Sequence, residues 1–456
     1  MNRSIRRVAL LLMVGMVVLV VGATWHQFVA ADSYRNHPDN RRRALLQAGK
    51  ERGMISTVGG RVLAYSEQDP DSFRSYNRRY PAGEAFRSVL GTEDAPGGLE
   101  EVYADELRSR RDLTVSDLMA AMFGEDLRPR GLQITLDADL QQRAYEILAR
   151  RRGAVAAIRP DTGEVLALVS SPRVPVTERA AGVLYPVGSV FKIVSAAAAL
   201  DTETADVESL FEDRAVWQIP GATLVVTNPG NVPCGDAAQV SLLTSFVFSC
   251  NLAFAELALE MGSEIMDAYA AAFGFETAME FPLETPVPSF GAERSSDPDL
   301  LASAGTGGLA LSSPLHMASV AAVVANGGLR APPYLVASWT DADGEVNERP
   351  ETPEANRVTT PETAASVARM MERVITEGTG QEATVAGHRV AGKTGTGQDA
   401  DGRNHAWFVG FAPVDSPTIA LAVMIEPGGE FGESVTGATA AARVASELLS
   451  YWLQRS

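Results

Sequence analysis

Gly153-Ala-Val-Ala-Ala-Ile158, Arg159-Pro-Asp-Thr-Gly163 and Glu164-Val-Leu-Ala-Leu-Val169 form a stretch in which two apolar runs flank a Pro-Asp-Thr-Gly turn. That arrangement reads as a β-hairpin. Far downstream, Ala406-Trp-Phe-Val-Gly-Phe411 and Thr418-Ile-Ala-Leu-Ala-Val-Met424 read as a second pair of strands. The segments between the two pairs are Ala-rich and carry apolar residues at helical spacing. A segment that opens and closes with strands around a helical middle predicts an α+β domain, with one antiparallel sheet covered by helices. Just before the first hairpin, apolar residues at helical spacing run from Ala138 to Arg151, and Asp137 is placed to cap that helix.

Upstream, from about Asp32 to Arg130, the sequence is polar and only weakly periodic. It has short strand-like pieces such as Arg61-Val62-Leu63-Ala64-Tyr65 and turn signals at Gly59-Gly60 and Pro81-Ala82-Gly83. It reads as a small mixed domain. Further upstream, Val8 to Thr24 is one apolar run of about 17 residues, preceded by Arg3, Arg6 and Arg7. It is near the lower limit for crossing a ~30 Å hydrocarbon core. It is apolar all round, unlike a surface helix of a globular domain. A cleaved signal peptide has the same basic start and apolar centre, but a shorter core. The reading preferred is an uncleaved anchor with its short basic tail in the cytoplasm. The expected organisation is a tail at 1–7, a membrane anchor at 8–25, a membrane-proximal domain at 26–131 and a main domain at 132–456.

The 456 residues carry a formal net charge of −18, with 46% hydrophobic and 21% charged residues. This is a globular composition able to bury a large core. The acidic balance argues against a nucleic-acid partner, which calls for a basic face. The only two cysteines, Cys234 and Cys250, form no CxxC pair, so no structural zinc site is expected. In an exported domain they are close enough to form one disulfide; two buried thiols are the alternative.

Three short patterns carry chemistry. In Ser189-Val-Phe-Lys192, the serine opens a helix continued by the apolar run Ile193 to Leu200. Residues three apart share a helix face, so Lys192 lies beside the Ser189 hydroxyl. Burial in an apolar helix lowers a lysine's pKa and lets it act as the base a serine nucleophile needs. Ser249-Cys250-Asn251 interrupts two apolar segments. Lys393-Thr394-Gly395-Thr396 offers a cation and hydroxyls to a carboxylate, and a backbone edge to an extended peptide. Gly387 to Thr394 also fits the nucleotide-binding P-loop letter for letter, but the loop-like Gly395 to Gly402 follows where a helix is required. Each pattern alone is weak. Their order, with gaps of about 60 and then about 140 residues, is specific.

With these three motifs the sequence resembles a class B penicillin-binding protein, most similar to the short actinobacterial type. The likeness covers most of the chain. It includes Arg52-Gly53-Met54-Ile55 with Gly60 to Ala64, Tyr80-Pro81-x-Gly83, Thr135-Leu-Asp137, Asp161 to Val169, Leu311 to Ala318 and Ala406 to Pro413. One departure is Gly305-Thr306-Gly307, where many relatives have Gly-Gln-Gly.

The resemblance implies a β-lactamase-like transpeptidase domain, a pedestal-like N-terminal domain and a catalytic domain outside the cell membrane. It implies a peptidoglycan D,D-transpeptidase that acts on stem peptides and is acylated by β-lactam antibiotics, with no metal or organic cofactor. Ser189 would attack, with Lys192 as base. Ser249 and Lys393 would relay a proton, and Asn251 would hold the substrate backbone. Lys393, Thr394 and Thr396 would bind the terminal carboxylate. The N–H groups of Ser189 and Thr396 would form the oxyanion hole, which places Gly395 in the substrate-binding strand. Residues 25–130 are too few for a glycosyltransferase domain, so a separate glycosyltransferase is the expected partner. A D,D-carboxypeptidase, a β-lactamase and a β-lactam-binding sensor or scaffold are the alternatives. The five histidines lie in no frame that fits a Ser-His-Asp hydrolase.

Overall fold

A computed structural model describes residues 2–26, 30, 50–71, 75–92, 97–108, 122, 128–171, 178–292, 295–352, 354–432 and 434–455. Within the expected 26–131 domain, residues 31–49, 109–121 and 123–127 are among those outside this set. The chain divides into two units, Met1–Arg52 with Ser66–Arg79, and Gly53–Tyr65 with Tyr80–Ser456.

The first unit carries the helix Asn2–Thr24, 23 residues long. At 1.5 Å per residue it extends about 34 Å, longer than a ~30 Å hydrocarbon core. Its segment Ile5–Thr24 has a mean hydropathy of 2.3 and is not buried within the protein. The same unit contains the strand Tyr76–Arg79, where Arg79 pairs with Glu67 at 2.8 Å.

The second unit is built on a five-stranded antiparallel sheet. In spatial order its strands are Ala391–Gln398, Asn404–Ala412, Ile419–Ile425, Gly153–Ile158 and Val165–Ser171. The two expected hairpins therefore meet in one sheet, joined by pairing of Ile419–Ile425 with Gly153–Ile158. The sheet is covered on both faces, which explains why Gly153–Ile158, Val165–Ser171, Asn404–Ala412 and Ile419–Ile425 are mostly apolar rather than alternating. Ala154, Ala156, Ile158, Ala420 and Ala422 join one core cluster, together with the helix Pro314–Ala325. Their sequence neighbours Val155, Ala157, Leu421 and Val423 join a second cluster, with the helices Ala138–Leu148 and Ala442–Leu453. Asp137 caps Ala138–Leu148 by accepting from the N–H groups of Asp139 and Leu140.

A second sheet lies in the same unit. It contains Ile55–Thr57, the Val62–Tyr65 stretch, Gly131–Ile134, Val336–Thr340 and Val346–Glu348. It crosses the expected boundary near residue 131 and recruits a hairpin from about 200 residues downstream. Left to itself, the short N-terminal sheet would expose an unpaired edge at Gly131–Ile134. Val336–Thr340 covers that edge.

Helices fill the middle of the unit. Lys192–Asp201 is buried from Lys192 through Ala199. Around it pack Leu252–Ala272 and Pro361–Thr376. This is the buried helix expected from Ser189-Val-Phe-Lys192, with one local difference. Gly188–Phe191 is a 3-10 turn, and the α-helix begins at Lys192.

Candidate active site

The serine turn sits where three backbone segments converge. Gly188 has φ +56°, and a β-carbon there would lie 2.4 Å from the carbonyl oxygen of Thr396. On its other side, Gly307 has φ +84°, and a β-carbon there would lie 2.0 Å from the Gly188 carbonyl. Only glycine fits both conformation and space. The Gly305-Thr306-Gly307 departure is thereby accommodated. Gly307 forms the left-handed cap of Pro298–Thr306, and the Thr306 hydroxyl donates to Ser303 O at 2.8 Å within that helix. Gly188→Ala should push the Thr396 strand away from the serine. The expected cost is about 1–3 kcal/mol of stability and roughly 10²-fold in acylation rate. Denaturant unfolding and penicillin-binding kinetics read these two effects, and wild-type values for both would contradict the wedge.

In a 3-10 turn, residues three apart eclipse one another. The Lys192 Nζ accordingly lies 3.0 Å from the Ser189 Oγ. It also donates to Ser249 O at 2.9 Å and Asn251 Oδ1 at 2.7 Å. The Lys393 Nζ donates to Ser249 Oγ at 2.8 Å and to Thr394 O at 3.0 Å. Ser249 Oγ thus lies between two amines, 3.5 Å from Lys192 and 2.8 Å from Lys393. Ser249 adopts φ +63°, a left-handed conformation that is costly for a residue with a side chain. The bend turns both its hydroxyl and its carbonyl toward the lysines.

Both lysines are fully buried, and neither donates to a carboxylate among the described residues. Burial, reinforced by repulsion from Lys393, holds the Lys192 amine well below the ordinary lysine range. Burial lowers Lys393 to about 7. Aromatic faces offset part of this desolvation: Phe254 lies 5.5 Å from Lys192 Nζ, and Phe246 lies 5.6 Å from Lys393 Nζ. The arrangement is a hydroxyl beside an amine that loses its proton more readily than an ordinary lysine, with a second hydroxyl bridging to a second amine. That set suits acyl transfer.

The strand Ala391–Gln398 closes the site and presents the three other candidate residues differently. At Gly395 a β-carbon would lie 2.8 Å from Val187 O and 2.9 Å from Val190 N, so glycine lets the strand reach the serine turn. Thr396 is exposed, and its Oγ1 accepts from Gly437 N at 3.3 Å. Thr394 is buried, with its hydroxyl 2.5 Å from that of Thr379. Thr379 belongs to no pattern in the sequence; only the fold brings it behind the strand. The P-loop match is excluded by geometry, since its last residues enter this strand rather than a helix.

Cys234 and Cys250 are joined in a disulfide, with Cα atoms 6.1 Å apart. This is ordinary spacing for such a bond. The bond ties the loop after the hairpin Val216–Gln218 and Val225–Thr227 to the middle residue of Ser249-Cys250-Asn251. Among the described residues, no group of three or more His, Cys, Asp or Glu side chains is arranged to hold a metal ion.

Comparison with known proteins places this geometry in context. A profile of the penicillin binding protein transpeptidase domain matches residues 153–450, and one of the penicillin binding protein A dimerisation domain matches 52–133. The chain is 34% identical to the peptidoglycan D,D-transpeptidase PbpA of Mycolicibacterium smegmatis over 97% of both chains. The crystal structure of PBPA from Mycobacterium tuberculosis superposes with a TM-score of 0.78 at 30% identity, covering 89% of this chain and 100% of that one. A penicillin G acyl-enzyme complex of penicillin-binding protein A from M. tuberculosis also matches, with a TM-score of 0.78 at 30% identity and the same coverage.

Proposed function

The chain belongs to the penicillin-binding protein transpeptidase family, and from this premise we propose that it is a serine peptidoglycan D,D-transpeptidase whose acyl-enzyme forms on Ser189. The observation that carries the assignment is the single hydrogen-bonded cluster of Ser189, Lys192, Ser249, Asn251 and Lys393.

In this reading the neutral Lys192 amine takes the Ser189 proton as Oγ attacks the carbonyl of the penultimate D-alanine. The C–N bond to the terminal D-alanine breaks. The leaving nitrogen receives a proton through Ser249 Oγ, which stands between the two amines. The N–H groups of Ser189 and Thr396 stabilise the oxyanion. The Lys393 charge, with Thr396 at the open face of the strand, attracts the terminal carboxylate, and Thr394 stands behind it on Thr379. Asn251 holds the donor backbone. An amine of a neighbouring stem peptide then attacks the ester, returns the proton to the site and frees Ser189. A β-lactam enters by the same first step, but its leaving nitrogen stays attached.

The apolar helix Asn2–Thr24 serves as a single-pass anchor, with the catalytic domain on the outer side of the cytoplasmic membrane. A separate peptidoglycan glycosyltransferase supplies the strands to be cross-linked. The support for the latter is compositional: the N-terminal match is to a dimerisation domain, not to a polymerase.

The test is to supply a D-Ala-D-Ala-terminated stem peptide together with a primary-amine acceptor. One D-alanine released per acceptor incorporated is the expected result. Release into water alone would instead assign a D,D-carboxypeptidase, and repeated turnover of penicillin would assign a β-lactamase.

A further inference from the structure

Asn251 opens the helical segment Leu252–Ala272, which breaks at Gly262, yet its side chain makes no cap to the helix that follows it. An asparagine at this position ordinarily turns its amide oxygen back to the first backbone N–H groups. Here the Oδ1 is engaged instead by Lys192 Nζ at 2.7 Å, and the Nδ2 donates to Thr227 O at 2.7 Å. The helix end is served by another residue. Asn228 Oδ1 accepts from Asn251 N at 2.7 Å and Leu252 N at 3.1 Å, while its Nδ2 donates to Arg214 O at 2.9 Å. Asn228 is 3% exposed, so each of these bonds is made away from bulk water, where an unmade one is expensive.

We infer that Asn228 is a positioning residue for acyl transfer: by holding the backbone N–H groups of Asn251 and Leu252, it keeps the Asn251 amide turned to Lys192 and the substrate. The backbone of Asn251 is held by Asn228 and its side chain by Thr227 O, which leaves one amide hydrogen for a substrate carbonyl. Without Asn228, these two N–H groups lose their acceptor, and the turn that carries the Asn251 side chain is no longer held. Asn251 would then turn away from Lys192.

This inference rests on the proposed role of Asn251, so both residues enter the test. Benzylpenicillin acylation rates are measured for the wild type, Asn228→Ala, Asn228→Asp, Asn251→Ala and the Asn228→Ala/Asn251→Ala double variant, with thermal midpoints for each. Asn228→Ala should slow acylation roughly 10²-fold, the scale of a misplaced catalytic group. Asn228→Asp keeps an acceptor at the helix end but loses the donor to Arg214 O, and should recover part of the rate. In the Asn251→Ala background, Asn228→Ala should slow acylation no further, because its effect runs through the side chain already removed. A wild-type rate in Asn228→Ala, or an equal further loss in the double variant, would overturn the inference while leaving the role of Asn251 intact. A wild-type rate in Asn251→Ala would instead remove the reading of Asn251, and the inference with it. If Asn228→Ala does not fold, Asn228→Asp decides alone: a folded protein with a loss as large as 10²-fold overturns the proposal.

Discussion

Ser189→Ala should abolish covalent capture of penicillin and release of D-alanine, and leave the fold intact. The rate loss should approach 10⁶-fold, as in other acyl-transfer enzymes deprived of their nucleophile. The stability change should stay within about 1 kcal/mol. The reason is the hydrogen-bond inventory of Lys192. With the Ser189 oxygen gone, its Nζ keeps Ser249 O at 2.9 Å and Asn251 Oδ1 at 2.7 Å, so no buried amine is orphaned. Labelling with fluorescent penicillin beside a thermal unfolding scan separates the two effects. A labelled Ser189→Ala protein would place the nucleophile elsewhere.

Lys192→Ala should slow acylation by about 10³–10⁴-fold, the range of a lost general base. Its pH signature is more specific. In the proposed mechanism Lys192 acts as its neutral form, and burial beside Lys393 holds its pKa well below the ordinary lysine value. As pH falls through that lowered pKa the amine gains a proton, and wild-type acylation falls with it. As pH rises through about 7, Lys393 loses its charge and with it part of its attraction for a carboxylate. The two amines share Ser249, so the limbs of the profile belong to the pair. Lys192→Ala should lose the acidic limb along with the rate. Lys192→Arg should not restore it, because a guanidinium does not give up its proton. A Lys192→Ala protein with an unchanged acidic limb would assign the base to another group.

What the sequence reveals is local. The period of the strands, the Asp137 cap and the three-residue step from Ser189 to Lys192 follow from backbone geometry within a few residues, and each is found where that geometry puts it. The apolar run at the N-terminus is equally plain, although the helix extends beyond it to Asn2–Thr24. What the sequence hides depends on contacts between distant segments. Val336–Thr340 is an unremarkable strand until the edge of Gly131–Ile134 needs a partner. Thr379 and Asn228 carry no pattern, because one hydroxyl or amide in a loop becomes meaningful only when the fold delivers it to Thr394 or Asn251. The left-handed turn at Ser249 is similarly silent, since asparagine and glycine, not serine, are the usual signals for it. The 3-10 turn at Ser189 also escapes pattern reading. An α-helix and a 3-10 turn both bring residues three apart together, so the spacing alone does not tell them apart.

The central claim is that a single acyl-enzyme forms on Ser189 through the two-lysine cluster. Its most direct test is peptide mapping by mass spectrometry of the wild-type protein after incubation with benzylpenicillin. One drug molecule added intact, on the peptide that contains Ser189 and on no other, is the predicted result. An unmodified protein in a solution of hydrolysed drug, or an adduct on a different peptide, would contradict it.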